Sequence, residues 1–188
     1  MSALHLRWLV IAVLLAAAML GSAGVASASG DAPYCGLTWG SLPKGNDYMS
    51  TAALLNARTG QHDCYDRVVF DFDTTATAFT VGYADHVYSQ AKGDELSVAG
   101  GAKLNVLLRE NDYDIRTGVG TYPHHAGEHI ADLSNYRTLR DLVYGGSFEG
   151  YTTFGLGVRA RLPFRVFTLA GPDTHSRIVI DVAHRWSQ

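Results

Sequence analysis

His125-Ala126-Gly127-Glu128-His129 reads H-x-x-E-H, the inverted order of a zinc-hydrolase motif, and His124 adds another imidazole beside it. That chemistry needs a helix, which brings both histidines to one face, makes the glutamate a general base and leaves the third ligand to a distant residue. Gly127 inside the motif and Pro123 just before it oppose such a helix, and Glu149 is the one later glutamate available to complete the set. The competing reading of residues 124–129 is an exposed histidine-rich loop with adventitious metal affinity. Neither a resident metal nor another cofactor is expected.

A second group lies between residues 58 and 71. Arg58, Asp63, Asp66, Arg67 and Asp71, with His62 among them, put two cations and three carboxylates beside a strand start. Arg58 and His62 are candidate ligand contacts, because a guanidinium can take an acidic group of a glycan or peptide in bidentate fashion. The alternative is an ion-pair and turn network that fixes the hairpin before Val68. Nucleophile arrangements are poorer. Ser147 follows Gly145-Gly146, but Glu149 stands where a nucleophile elbow needs glycine, and Asp173, His175 and Ser176 are neighbours in sequence, whereas a triad is a matter of geometry. Asp71 with Asp73, and Asp112 with Asp114, have the spacing of one face of an extended backbone, where solvated carboxylates are the default. Aromatic rings with a polar handle, Trp39 and Trp186 among them, are possible sugar-stacking surfaces. Of the 10 tyrosines, Tyr113 and Tyr122 lie in the most polar loop and are expected to be exposed there as candidate ligand contacts.

The elements that must carry these residues alternate with period two. Val68, Phe70 and Phe72 point one way and Arg67, Val69, Asp71 and Asp73 the other; Leu104, Val106 and Leu108 oppose Lys103, Asn105 and Arg109; Ile178, Ile180 and Val182 oppose Val179, Asp181 and Ala183. These patterns predict half-buried antiparallel strands. Turn signals fall at residues 91–94, at Gly100-Gly101, at Gly145-Gly146 and at Gly171-Pro172-Asp173, the last joining strands near 164–170 and 177–184 as a hairpin. Gly155 and Gly157 interrupt an aromatic-rich run, as at a bulge or a close backbone approach. Residues 48–60 are ambiguous between a short helix capped by Asp47 and a strand closed by residues 58–60. Residues 111–135 read as a long loop with one helical turn at most. The expected fold class is all-β, an antiparallel β-sandwich.

Arg7, the apolar run at 8–20 and Ala26-Ser27-Ala28 have the form of a secretory signal peptide over residues 1–28. The run is shorter than the roughly 20 apolar residues of a membrane-spanning helix, so no stable membrane insertion is expected after cleavage. Residues 29–33 form a short linker and 34–188 one domain, expected outside the cytoplasm, secreted or held at the cell envelope. Removing residues 1–28 from 188 leaves 160 and takes the net charge from −3 to −4. A chain of that size buries roughly 70% of its unfolded surface, enough for a core. An acidic balance disfavours nucleic acid as a partner. Cys35 and Cys64, the only cysteines, are expected to pair in an oxidising compartment. Two free thiols acting as a redox or metal pair are the alternative, though the spacing fits neither C-x-x-C nor a zinc knuckle.

Residues 35–43 (CGLTWGSLP), 58–72 (RTGQHDCYDRVVFDF), 100–104 (GGAKL) and 177–184 (RIVIDVAH) together resemble the AMIN-like domain of secreted and lipid-anchored actinobacterial proteins. The 58–72 match is the specific part. The resemblance implies a β-sandwich related to the AMIN domain, which directs cell-wall amidases to peptidoglycan and occurs in secretins. It also implies a noncatalytic module whose partner is peptidoglycan or a cell-envelope protein, and it transfers no catalytic residue. Many members are lipoproteins; Cys35 follows Ala32-Pro33-Tyr34 and is not placed as a lipid acceptor. Two other functions stay open, a small secreted hydrolase using residues 124–129 and an interaction subunit using an exposed strand edge.

Overall fold

Strand alternation sorts the side chains of the described chain, residues 33–46 and 48–186 of a computed structural model. The expected signal peptide, all of the linker but Pro33, and the expected helix cap Asp47 lie outside the described residues. Nine strands are described: β1 (Lys44–Gly45), β2 (Leu54–Gln61), β3 (Tyr65–Phe72), β4 (Phe79–Ala84), β5 (Ala102–Leu108), β6 (Leu139–Phe148), β7 (Tyr151–Val158), β8 (Phe164–Ala170) and β9 (Ser176–Ala183). Every strand pair is antiparallel, in one sheet ordered β1-β4-β5-β7-β6 and another ordered β2-β3-β9-β8. The fold is the expected β-sandwich. Its sheets meet through fully buried Phe70, Phe154, Phe164 and Tyr144, with the Phe70 and Phe154 rings 4.8 Å apart. Each such side chain contributes about 1.5–3 kcal/mol by leaving water.

The three expected inward sets are fully buried. The outward set of β9 differs from expectation: Val179, Asp181 and Ala183 are buried too. β9 is an inner strand of its sheet, and large neighbours on β3 and β8 close over its outer side. Residues 48–60 resolve toward the strand reading, as β2. The C-terminal hairpin of β8 and β9 is as expected. Gly145-Gly146 is instead a bulge inside β6, whose chain continues to Phe148 before the hairpin turns at Glu149-Gly150. Gly155 and Gly157 mark a close approach: residues 87–99 lie across the outer side of β7, and a Cβ on Gly157 would collide with the Ala99 carbonyl oxygen. Val87, Leu96 and Val98 form a small second core there with Val143.

Buried polar groups tie loops to the sandwich. Asp66, turned inward on β3, accepts hydrogen bonds from the backbone N–H groups of Thr138 (2.6 Å) and Leu139 (3.2 Å), and His184 Nε2 lies 3.1 Å from its other oxygen. Glu110 accepts from Ser50 Oγ and from the N–H groups of Thr77 and Ala78. Burial raises the Glu110 pKa from the ordinary 4.5 to about 7, against those hydrogen bonds, which favour the ionised form. The folded chain thus keeps a proton that the unfolded chain releases between about pH 4.5 and pH 7, so this carboxyl makes stability fall as pH rises through that window. The expected loss is about 2–3 kcal/mol, read as urea midpoints at the two ends of the window, and Glu110→Gln should remove it. Equal pH slopes in the two proteins would refute the assignment.

Candidate functional site

The outer face of the β2-β3-β9-β8 sheet gathers arginines and rings in rows fixed by register. Gly60, Arg67, Asp181 and Arg165 are cross-strand neighbours in one row, Arg58, Val69, Val179 and Phe167 in the next, and Asn56, Asp71, Arg177 and Leu169 in a third. Asp181 is fully buried and takes bonds from two sides: Arg67 donates from Nε (2.6 Å) and Nη2 (2.9 Å), and Arg165 donates from Nε (2.9 Å). The Arg67 guanidinium also faces the rings of Tyr65 and Phe167, at 5.3 and 5.6 Å. Arg165 lies 4.4 Å from the Trp39 ring and 4.8 Å from that of Phe167. Trp39 reaches this face on the segment that the Cys35–Cys64 disulfide joins to the start of β3. The expected pairing of the cysteines is present.

Arg58 forks onto Asp71, with Nε at 2.8 Å and Nη2 at 3.1 Å. Donating to Asp71 and to Asp181 raises the pKa values of Arg58 and Arg67 respectively, so both guanidiniums stay charged. His62 stacks on Tyr65, ring centroids 4.5 Å apart. Between these groups is a hollow of about 240 Å³, floored by Val69 and Val179 and walled by Arg58, Arg67, Arg177 and His62. Four arginines and two aspartates give this face a local excess of positive charge in a chain of net charge −3. Such a face can fork onto carboxylates and stack against apolar ring faces.

Of the expected ligand contacts, Arg58 and His62 meet at this hollow, whereas Tyr113 and Tyr122 do not line it. Tyr113 is half-buried in a loop closed by its bridge to Gly120. The expected exposure of Tyr122 is corrected: only 5% of its surface is accessible, because the ring packs against Tyr144 and Phe154, and burial pushes its phenol pKa up. The charged group at 58–71 splits by alternation, Arg58, Arg67 and Asp71 facing out while Asp66 faces in. Sequence reasoning missed Arg165, Arg177 and Asp181 as partners of that group. The alternation of β9 gave Asp181 a side; only the β3–β9 and β9–β8 registers give it neighbours.

Residues 124–129 form turns, not the helix the zinc motif needs. Glu128 folds back to accept from His125 N–H at 3.0 Å, with His124 Nδ1 2.8 Å from its other oxygen, while His129 Nδ1 pairs with Asp141 at 2.8 Å. Among the described residues no three His, Cys, Asp or Glu side chains converge as a cation site. Ser176 Oγ is spent between Thr74 O (2.6 Å) and Ala76 N–H (2.7 Å), and Ser147 Oγ accepts from Thr152 Oγ1. Asp73 holds Ala53 N–H, and Asp112 accepts from Tyr144 Oη. Among the described residues no helix is long and apolar enough to cross a membrane.

No curated protein and no solved structure matches the chain. The family model of the AMIN-like domain matches residues 52–184, which run from just before β2 to just past β9 and include Arg58, Arg67, Arg165, Arg177 and Asp181. With that match spanning most of its length, and an all-β sandwich beneath it, the chain belongs to the AMIN-like domain family.

Proposed function

We propose that the protein is a noncatalytic cell-envelope binding module that holds peptidoglycan or a wall-associated partner on the outer face of the β2-β3-β9-β8 sheet. Family membership supports a cell-wall-related binding role, and with the disulfide it supports an extracellular or envelope location. The observation that carries the choice of face is the row Arg67, Asp181, Arg165 with the rings of Tyr65, Phe167 and Trp39 against it. Half-exposed rings offer stacking to sugar faces, and the remaining guanidinium N–H groups offer forks to stem-peptide carboxylates.

Co-sedimentation with purified peptidoglycan tests the reading. The oxidised, folded protein should pellet saturably, less so as salt rises, and Trp39→Ala should weaken binding about two- to tenfold. Equal pelleting of the heat-unfolded protein, or none by the folded one, would overturn it and favour a protein partner.

A further inference from the structure

We infer that the hollow walled by Arg58, Arg67 and Arg177 is a subsite for the terminal carboxylate of a peptide that ends in a small aliphatic residue. The inference rests on the envelope-binding reading and names the group that this face would take.

Arg177 carries the argument. It stands directly across from Asp71, its natural ion-pair partner on the neighbouring strand, yet both Asp71 oxygens are engaged by Arg58. Arg177 donates from Nη2 to the Ala170 carbonyl at 3.3 Å, and its Nε is buried with no hydrogen-bond partner. A guanidinium whose cross-strand carboxylate is taken by another arginine is the one an incoming anion can pair with. No carboxylate lines the hollow, and Asp71 and Asp181 are occupied with Arg58 and with Arg67 and Arg165, which leaves Arg177 as the guanidinium there that no carboxylate of the described residues engages.

Floor and size then narrow the ligand. Leu169, 36% exposed on β8, gives the hollow an aliphatic surface for a methyl or another short group beside the anion, above the covered Val69 and Val179. About 240 Å³ is below the roughly 300 Å³ at which drug-sized sites begin, so a chain terminus fits better than a whole glycan repeat. A carboxylate next to a small side chain is the C-terminus of an alanine-like residue.

The probe is N-acetyl-D-alanyl-D-alanine, titrated into the oxidised protein and followed by NMR, beside its C-terminal amide and glucuronate. Shifts confined to residues around the hollow with the acid, and none with the amide or the sugar acid, are expected. Arg177→Gln should weaken the acid about tenfold or more. Gly60→Val supplies a second variant: a Cβ at Gly60 meets no atom within 4 Å, and the added methyls project from β2 into the hollow, so the fold stands and binding is blocked. Equal shifts with acid and amide, equal shifts with glucuronate, or unchanged affinity in both variants overturns the subsite. The two readings fail separately. Peptidoglycan binding that survives both variants removes the subsite and leaves the module, whereas failure of the parent protein to pellet removes the module while the peptide titration still judges the hollow.

Discussion

Asp66→Ala should lower the free energy of unfolding by about 4 kcal/mol, the largest of the stability effects expected. The carboxylate is fully buried and satisfies three groups at once, the N–H donors of Thr138 and Leu139 and the ring of His184. Removing it leaves those groups enclosed without a partner, at about 1–3 kcal/mol apiece before relaxation. Asp66→Asn keeps one acceptor oxygen and should lose roughly half as much. Urea unfolding checks both variants, with an unchanged denaturant slope as the sign that the native state is still compact. An alanine variant as stable as the parent would show that water reaches the site. Were Asp66 a ligand contact, as its place among the charges of residues 58–71 allows, the variant would instead lose binding at full stability.

Loss of the Cys35–Cys64 bridge is the second large effect. The bond spans 29 positions, for which the chain-entropy model gives about 3–4 kcal/mol. Replacing both cysteines by serine should lower the thermal midpoint by about 6–16 °C, and reductant acting on the parent should reproduce the fall. The bridged segment also meets the sandwich through Phe164 N–H donating to Gly40 O at 3.1 Å and through Trp39 against Tyr65. A drop under about 1 kcal/mol would mean that those contacts, not the covalent link, hold it. Out of a stability of roughly 5–15 kcal/mol, either expected loss is large enough to measure directly.

Period-two alternation made β3, β5 and β9 legible, because each has a contiguous apolar set on one side and needs no knowledge of its neighbours. The disulfide was legible from cysteine count and compartment. Three features were not. Gly145-Gly146 has a turn's composition, yet the pairing of β6 with β7 absorbs it as a bulge, which depends on a partner strand. Tyr122 sits among polar residues, and its burial comes from Tyr144 and Phe154, which are distant in sequence. The arginine face was half visible. Arg58 and His62 stood out locally, but Arg67 and Asp181 are 114 positions apart and Arg165 joins them only through β8 pairing with β9. Charges of opposite sign scattered over a chain become a site only when register aligns them.

The shared grip of Asp181 on Arg67 and Arg165 has a consequence for the binding proposed at this face. A free arginine side chain carries up to about 2 kcal/mol of rotamer entropy, which binding normally has to remove. Here the buried carboxylate and the rings of Tyr65, Phe167 and Trp39 have already fixed both guanidiniums during folding. The surface is preorganised, so association needs little rearrangement and more of each new contact appears as affinity. Free and bound protein should therefore share one arrangement of this face, with encounter rate rather than conformational change governing how fast a ligand is taken up.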